Sequence, residues 1–141
     1  MILRPYEADD YHQLTNLYKV PSLYGGNFDE SRDTNKKLQR TSDEGNLFVV
    51  VDEVNLVVGS VMFLRNAHSF WLLRFVLDDR HIDHEQVGSM LVHFAEQEAK
   101  KDGHTNVIVY SSPLFKELAH RYAKLNFKKG NTYTSFWKEI I

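Results

Sequence analysis

The sequence predicts an α/β (α+β) domain, a mixed sheet with helices packed on it. Apolar stretches of strand length are interleaved with stretches whose apolar residues recur every three or four positions. The chain has 141 residues, 43% of them apolar and 13% aromatic, which suffices for a packed core and argues against disorder. Neither a repeat nor a linker-like run divides it, so one domain over 1–141 is expected.

In chain order, ILRPY (2–6) is a short extended segment whose Pro5 suits a sheet edge. Asp9 or Asp10 can cap a helix with the stripe Tyr11, Leu14, Leu17 and Tyr18, and Pro21 stops it. Residues 22–45 are polar. Within them YGGNFDE (24–30) reads as a loop and SRDTNKKLQRT (31–41) as a weakly amphipathic short helix. NLFVVV (46–51) and LVVGSVMFL (56–64) flank DEVN (52–55), a connection that fits a hairpin. FWLLRFVL (70–77) is nearly continuous in apolar character, as in a strand buried on both faces.

DDRHIDHEQVGSMLVHFAE (78–96) then opens a helix with Val87, Met90, Leu91, Phe94 and Ala95 on one face, stopped by Asp102-Gly103. NVIVYS (106–111) is another central strand. Ser112-Pro113 supplies a cap and a first-turn proline for a helix bearing Leu114, Leu118, Tyr122 and Leu125. Asn126 suits the left-handed position that ends it, and TYTSFWKEI (132–140) alternates like a last strand.

Composition excludes several classes of function. A formal charge of −2 lacks the basic surplus of a nucleic-acid binder. With no cysteine, disulfides, thiolate metal sites and a cysteine nucleophile are excluded. No apolar run approaches the roughly 20 residues that span a bilayer, and MILRPYEADD lacks the order of a signal peptide. A cytoplasmic protein with no membrane or nucleic-acid partner is expected.

The element order and the helix starts resemble the GCN5-related N-acetyltransferase (GNAT) superfamily. In topology the likeness spans the whole chain; its motifs lie from about residue 46 onward. DHEQVGS (83–89) is similar to the turn of that family, Arg/Gln-x-x-Gly-x-Gly/Ala, whose amides hold the pyrophosphate of acetyl-CoA at a helix start. Val87, Gly88 and Ser89 match it. Asp83 replaces the Arg or Gln, and His84 and Gln86 replace two glycines, so the turn is degenerate. An aspartate repels a polyanion, and side chains at glycine positions crowd the backbone approach. A longer loop would let Arg80 or His81 compensate.

AHRYAKLNF (119–127) resembles the family's A-x-x-L-Y-E-K-L-G-F run, which places Tyr122 at the tyrosine that protonates the departing CoA thiolate. The strand FWLLRFVL resembles the one whose main chain, here 73–77 and including Phe75, Val76 and Leu77, pairs with the pantetheine arm.

The resemblance therefore implies a GNAT-like mixed, mostly antiparallel sheet flanked by helices on both faces. It implies acetyl (acyl) transfer from acetyl-CoA, a cosubstrate, to an amine of a small molecule or protein. Tyr122 is the expected acid. Phe75, Val76, Leu77, His84, Gln86, Val87, Gly88 and Ser89 are the expected CoA contacts. The acceptor is expected beside 22–45 and RNAHS (65–69), and the state monomeric or homodimeric. Asp52, Glu53 and His68 lie at strand ends, and none matches a family base.

Other readings of the same residues stand beside these. Tyr122 suits plain core packing, and Gly88 a close helix–sheet contact. His81, Asp83, His84 and Glu85 fit no metal motif, so no metal is expected. The degenerate turn also suits a non-catalytic CoA-binding or protein-interaction/sensor module of the same fold.

Overall fold

The structure is a computed structural model that describes residues 1–24 and 28–141. Among the described residues, five strands form one sheet in chain order: β1 (Ile2–Pro5), β2 (Leu47–Val51), β3 (Val57–Arg65), β4 (Phe70–Leu77) and β5 (Ile108–Val109). All neighbours are antiparallel except the parallel pair β4–β5. Helices α1 (Tyr11–Tyr18), α2 (Pro21–Tyr24) and α3 (Asn35–Asp43) precede β2. Helix α4 (His84–Lys101) connects β4 to β5, and α5 (Lys116–Lys124) follows. Pro5 lies on the edge strand, where its missing N–H costs no ladder bond.

Each face of the sheet carries its own core. In β2, Leu47, Val49 and Val51 pack with α1, α2 and α3, whereas Val50 faces α4 and α5. Strand periodicity of two thus buries both faces, which explains the unbroken apolar runs. A bulge against Met62 and Phe63 makes Leu73 the extra residue of β4. Parity shifts there: Phe70 and Leu72 precede the bulge, Phe75 and Leu77 follow it, and all four enter the α4–α5 core.

The hairpin forms as expected. Asp52 accepts N–H bonds from Val54 (3.0 Å) and Leu56 (2.9 Å), and Asn55 takes a φ of 63°. Helix α3 is capped by Thr34, which accepts from the Lys37 N–H at 3.2 Å. Asp10 precedes α1 without a side-chain cap bond; its carboxylate instead receives both Nη atoms of Arg4, at 2.8 and 2.9 Å. Gly103 and Asn126 end α4 and α5 at φ 83° and 68°.

Expectations for four segments are corrected. The strand expected centrally over 106–111 is only the two-residue β5, at the edge of the sheet. The strand over 132–140 does not form: residues 128–141 are exposed and unpaired, although the Tyr133 ring stands 6.4 Å from Tyr110. Alternation prepares two faces for a strand, but an edge must still receive it. The last helix starts at Lys116 and not after Ser112-Pro113, which leaves Leu114 85% exposed. Within the expected loop 24–30, Tyr24 closes the short helix α2, whose first residue is Pro21. Residues 25–27 of that loop lie outside the described residues.

Candidate functional site

Among the described residues, strands β4 and β5 pair only at Trp71–Ile108 and Leu72–Val109. Beyond the bulge at Leu73, the side of β4 that faces β5 is therefore unpaired among the described residues. Residues 73–77 offer a strand edge, the arrangement that an extended ligand can complete by main-chain hydrogen bonding.

The open edge leads to a cleft of about 620 Å³ between the start of α4 and α5. Leu77, His84, Gly88 and Ser89 line it, together with Asp79 and Glu85. Helix α5 supplies the opposite wall with Lys116, Glu117, His120, Arg121, Lys124 and Leu125. The first turn of α4 presents outward N–H groups and the positive end of its dipole, which attract anions, while Asp79 and Glu85 set two carboxylates beside them. His84 Nδ1 lies 2.9 Å from the His81 carbonyl. That bond assigns its proton to Nδ1 and makes Nε2 the acceptor of the neutral ring.

Gly88 has a packing reason as well as a place in the cleft. A Cβ there would stand 3.0 Å from Leu77 Cδ1 and 3.6 Å from Leu125 Cδ2, so its bare Cα lets α4 approach the sheet and α5.

Four of the expected contacts, Leu77, His84, Gly88 and Ser89, thus meet at one cleft. The others stand elsewhere. Gln86 is exposed outside the lining, Val87 is fully buried against the sheet, and Val76 points into the α1–α3 core. Phe75 packs under α5, its ring 6.0 Å from that of Tyr122. Of these, Phe75 turns its main chain to the open edge, whereas Val76 pairs with Ser60 of β3 and the Val87 N–H is bonded to the Asp83 carbonyl at 3.0 Å. Asp83, the residue expected to repel phosphate, is exposed and outside the cleft lining.

Neither Arg80 nor His81 reaches into the cleft. Arg80 Nε binds Asp78 Oδ1 at 2.8 Å, and His81 Nε2 lies 3.4 Å from Asp52 Oδ2. Burial raises the Asp78 carboxyl, but the hydrogen bonds and charge of Arg80 outweigh it and hold the group below the ordinary range.

Tyr122 is 7% exposed, packed between Phe75 and Phe127 one residue from the cleft-lining Arg121. Burial pushes its phenol up to about 12, with the Arg121 charge opposing. The side chain is a neutral O–H at neutral pH and can donate a proton.

On the other face of β4, Arg74 forms an ion pair with the buried Asp33 and covers the rings of Tyr18 and Tyr24 at 5.2 and 5.8 Å. Among the described residues no three His, Asp or Glu side chains converge as metal ligands, and no helix is long and apolar enough to cross a membrane.

Sequence reasoning missed the wall built by α5. Its cations fall at 116, 121 and 124, a spacing that shares one helical side, but nothing local says that this side faces α4.

No protein-family profile matches the chain, and no curated protein matches it significantly. Solved structures do match. PaiA N-acetyltransferase from Thermoplasma acidophilum, solved with coenzyme A, is 18% identical with a TM-score of 0.75, covering 94% of this chain and 92% of its own. An aminoglycoside antibiotic 6'-N-acetyltransferase from Acinetobacter haemolyticus is 14% identical with a TM-score of 0.76, covering 99% of each chain. A GNAT-family acetyltransferase from Bacillus anthracis is 18% identical with a TM-score of 0.68, covering 92% of this chain and 80% of its own. At these identities the likeness establishes the fold, which is that of the GNAT acetyltransferases.

Proposed function

We propose that this protein transfers an acetyl or other acyl group from a coenzyme A thioester to an amine. The observation that carries the reading is the unpaired edge of β4 at 73–77, opening directly onto the cleft at the start of α4, whose other wall carries Lys116, Arg121 and Lys124. One element suits a peptide-like pantetheine arm and the other its phosphates, and the two are contiguous. The three solved neighbours described above are acetyltransferases, and one was solved with coenzyme A.

The chemistry assigned to the chain is brief. The amine nitrogen bonds to the thioester carbonyl carbon and gives up one proton to solvent water, the C–S bond breaks, and the sulfur leaves as a thiolate that needs a proton. Tyr122 supplies it, since its buried phenol keeps its proton at neutral pH. Leu77, Gly88 and Ser89 shape the phosphate end, where Gly88 keeps α4 close to β4. Phe75 contributes main chain along the open edge, whereas the Val76 main chain is paired with β3.

The test is a thermal-shift titration of the full chain with acetyl-CoA, with pantetheine as control. Ligand at 100 times its Kd should stabilise the protein by about 2.7 kcal/mol, several degrees at this size. Ser89→Glu adds a negative charge at an exposed cleft position and is expected to weaken acetyl-CoA but not pantetheine. No shift with acetyl-CoA at millimolar concentration would overturn the reading. Binding with no turnover across an amine panel would favour the non-catalytic reading suggested by Asp83, His84 and Gln86. Turnover is easily followed, because a chain without cysteine gives a thiol reagent nothing but released CoA to report.

A further inference from the structure

The β4–α4 turn brings no cation to the cleft. Arg80 is held by Asp78 at 2.8 Å, and His81 is turned to Asp52 at 3.4 Å. Cations enter from the other wall, as Lys116, Arg121 and Lys124 of α5. Two of these already hold anions across the gap. Arg121 Nη2 lies 3.5 Å from Asp79 Oδ2 on the turn, and Lys124 Nζ lies 3.8 Å from Glu85 Oε1 in the first turn of α4.

Resting on the acyl-transfer reading, we propose that α5 and not the degenerate turn supplies the charge that holds the CoA phosphates, by exchange of anions. Arg121 leaves Asp79, Lys124 leaves Glu85, and both take phosphate oxygens.

Three observations carry this. Both ion pairs are long, and Lys124 and Glu85 are 69% and 77% exposed, so water already competes for them. A phosphate offers arginine a bidentate, more highly charged partner than a carboxylate at 3.5 Å. Three carboxylates, Asp79, Glu85 and Glu117, line the same cleft as the three cations. The cleft is therefore near neutral, and a polyanion gains the cations only by displacing resident anions.

The consequence is an opposite sign for the two halves of one ion pair. Lys124→Gln removes a phosphate partner, whereas Glu85→Gln removes a competitor. Both side chains are exposed, so neither variant threatens the fold. Arg121 is 17% exposed and sits deeper, so its variant is interpreted only with a matched melting curve.

The experiment is calorimetric titration of native and variant full-length chains with CoA, 3'-dephospho-CoA and pantetheine, at low and high salt. Lys124→Gln should weaken CoA about 3-fold and Arg121→Gln about 10-fold, while Glu85→Gln tightens it about 3-fold. Pantetheine affinity should stay level, and the salt dependence for CoA should flatten in both cation variants. Native-like CoA affinity in Lys124→Gln and Arg121→Gln, or no tightening in Glu85→Gln, overturns the exchange and leaves acyl transfer standing. If the native chain fails to bind CoA, both readings fall together.

Discussion

At the scale of single residues, a tyrosine on an apolar helical stripe serves packing or chemistry; Tyr122 packs, and the proposed reaction gives it the acid's role as well. Its ring fills the space between Phe75 and Phe127, so Tyr122→Phe should keep the fold and the CoA affinity. If the phenol protonates the thiolate, kcat should fall by about 10²-fold in that variant. The proton is held up to about pH 12, so kcat should not drop for want of this acid as pH rises from about 7 to about 9. A native rate in Tyr122→Phe assigns the acid elsewhere.

The two glycines of the α4–sheet contact give a second contrast at this scale. A Cβ on Gly59 would stand 2.6 Å from Val87 Cγ1, a stiff, fully buried side chain, so Gly59→Ala should cost about 2 kcal/mol by overpacking. At Gly88 the nearest atom is a leucine methyl at 3.0 Å, and alanine returns about 1 kcal/mol of helix propensity, so the net change should lie near zero. Urea denaturation of both variants decides between these outcomes.

At the scale of elements, the β2–β3 hairpin is tied to the turn before α4 through Asp52. Its carboxylate accepts the Leu56 and Val54 N–H bonds and faces His81 Nε2 at 3.4 Å. The Leu56 bond comes first, with the Val54 bond and His81 adding to it; together they outweigh burial and hold this carboxyl below the ordinary range. The unfolded chain therefore binds a proton at higher pH than the folded one. Stability from Asp52 is complete above the ordinary aspartate pKa, about 3.9, and is lost as pH falls through the lower folded value. Asp52→Asn keeps the acceptor oxygen and removes the charge. Its melting temperature should lie below native at neutral pH, and the gap should close towards about pH 3. A gap that stays constant with pH would put the effect in shape and not in charge.

At the scale of the whole molecule, one buried ion pair joins the segment between α2 and α3 to the middle of the sheet. Asp33 is 1% exposed, and its partner Arg74 stands next to the bulge residue Leu73. Removing one partner strands a charge: Asp33→Ala should cost roughly 3 kcal/mol. Adding Arg74→Met should recover part of that loss, a coupling that a double-variant cycle by chemical denaturation measures. Additive losses would show that the two residues act independently.

Local rules made much of this chain readable. Continuous apolar runs bounded by polar residues named β2, β3 and β4, because burial on both faces leaves a signature that needs no partner to be seen. The DEVN hairpin, the stop at Asp102-Gly103 and the left-handed Asn126 follow from side-chain and backbone chemistry within a few residues. Tertiary structure alone decided the rest. TYTSFWKEI has the period of a strand, yet a strand forms only where an edge pairs with it, and no local pattern encodes that pairing. Likewise Arg80 and Arg121 are both arginines near the candidate site, and the fold spends the first on Asp78 and brings the second to the cleft wall. Which charge meets which is a property of distances between elements, and those exist only once α4 and α5 have packed on the sheet.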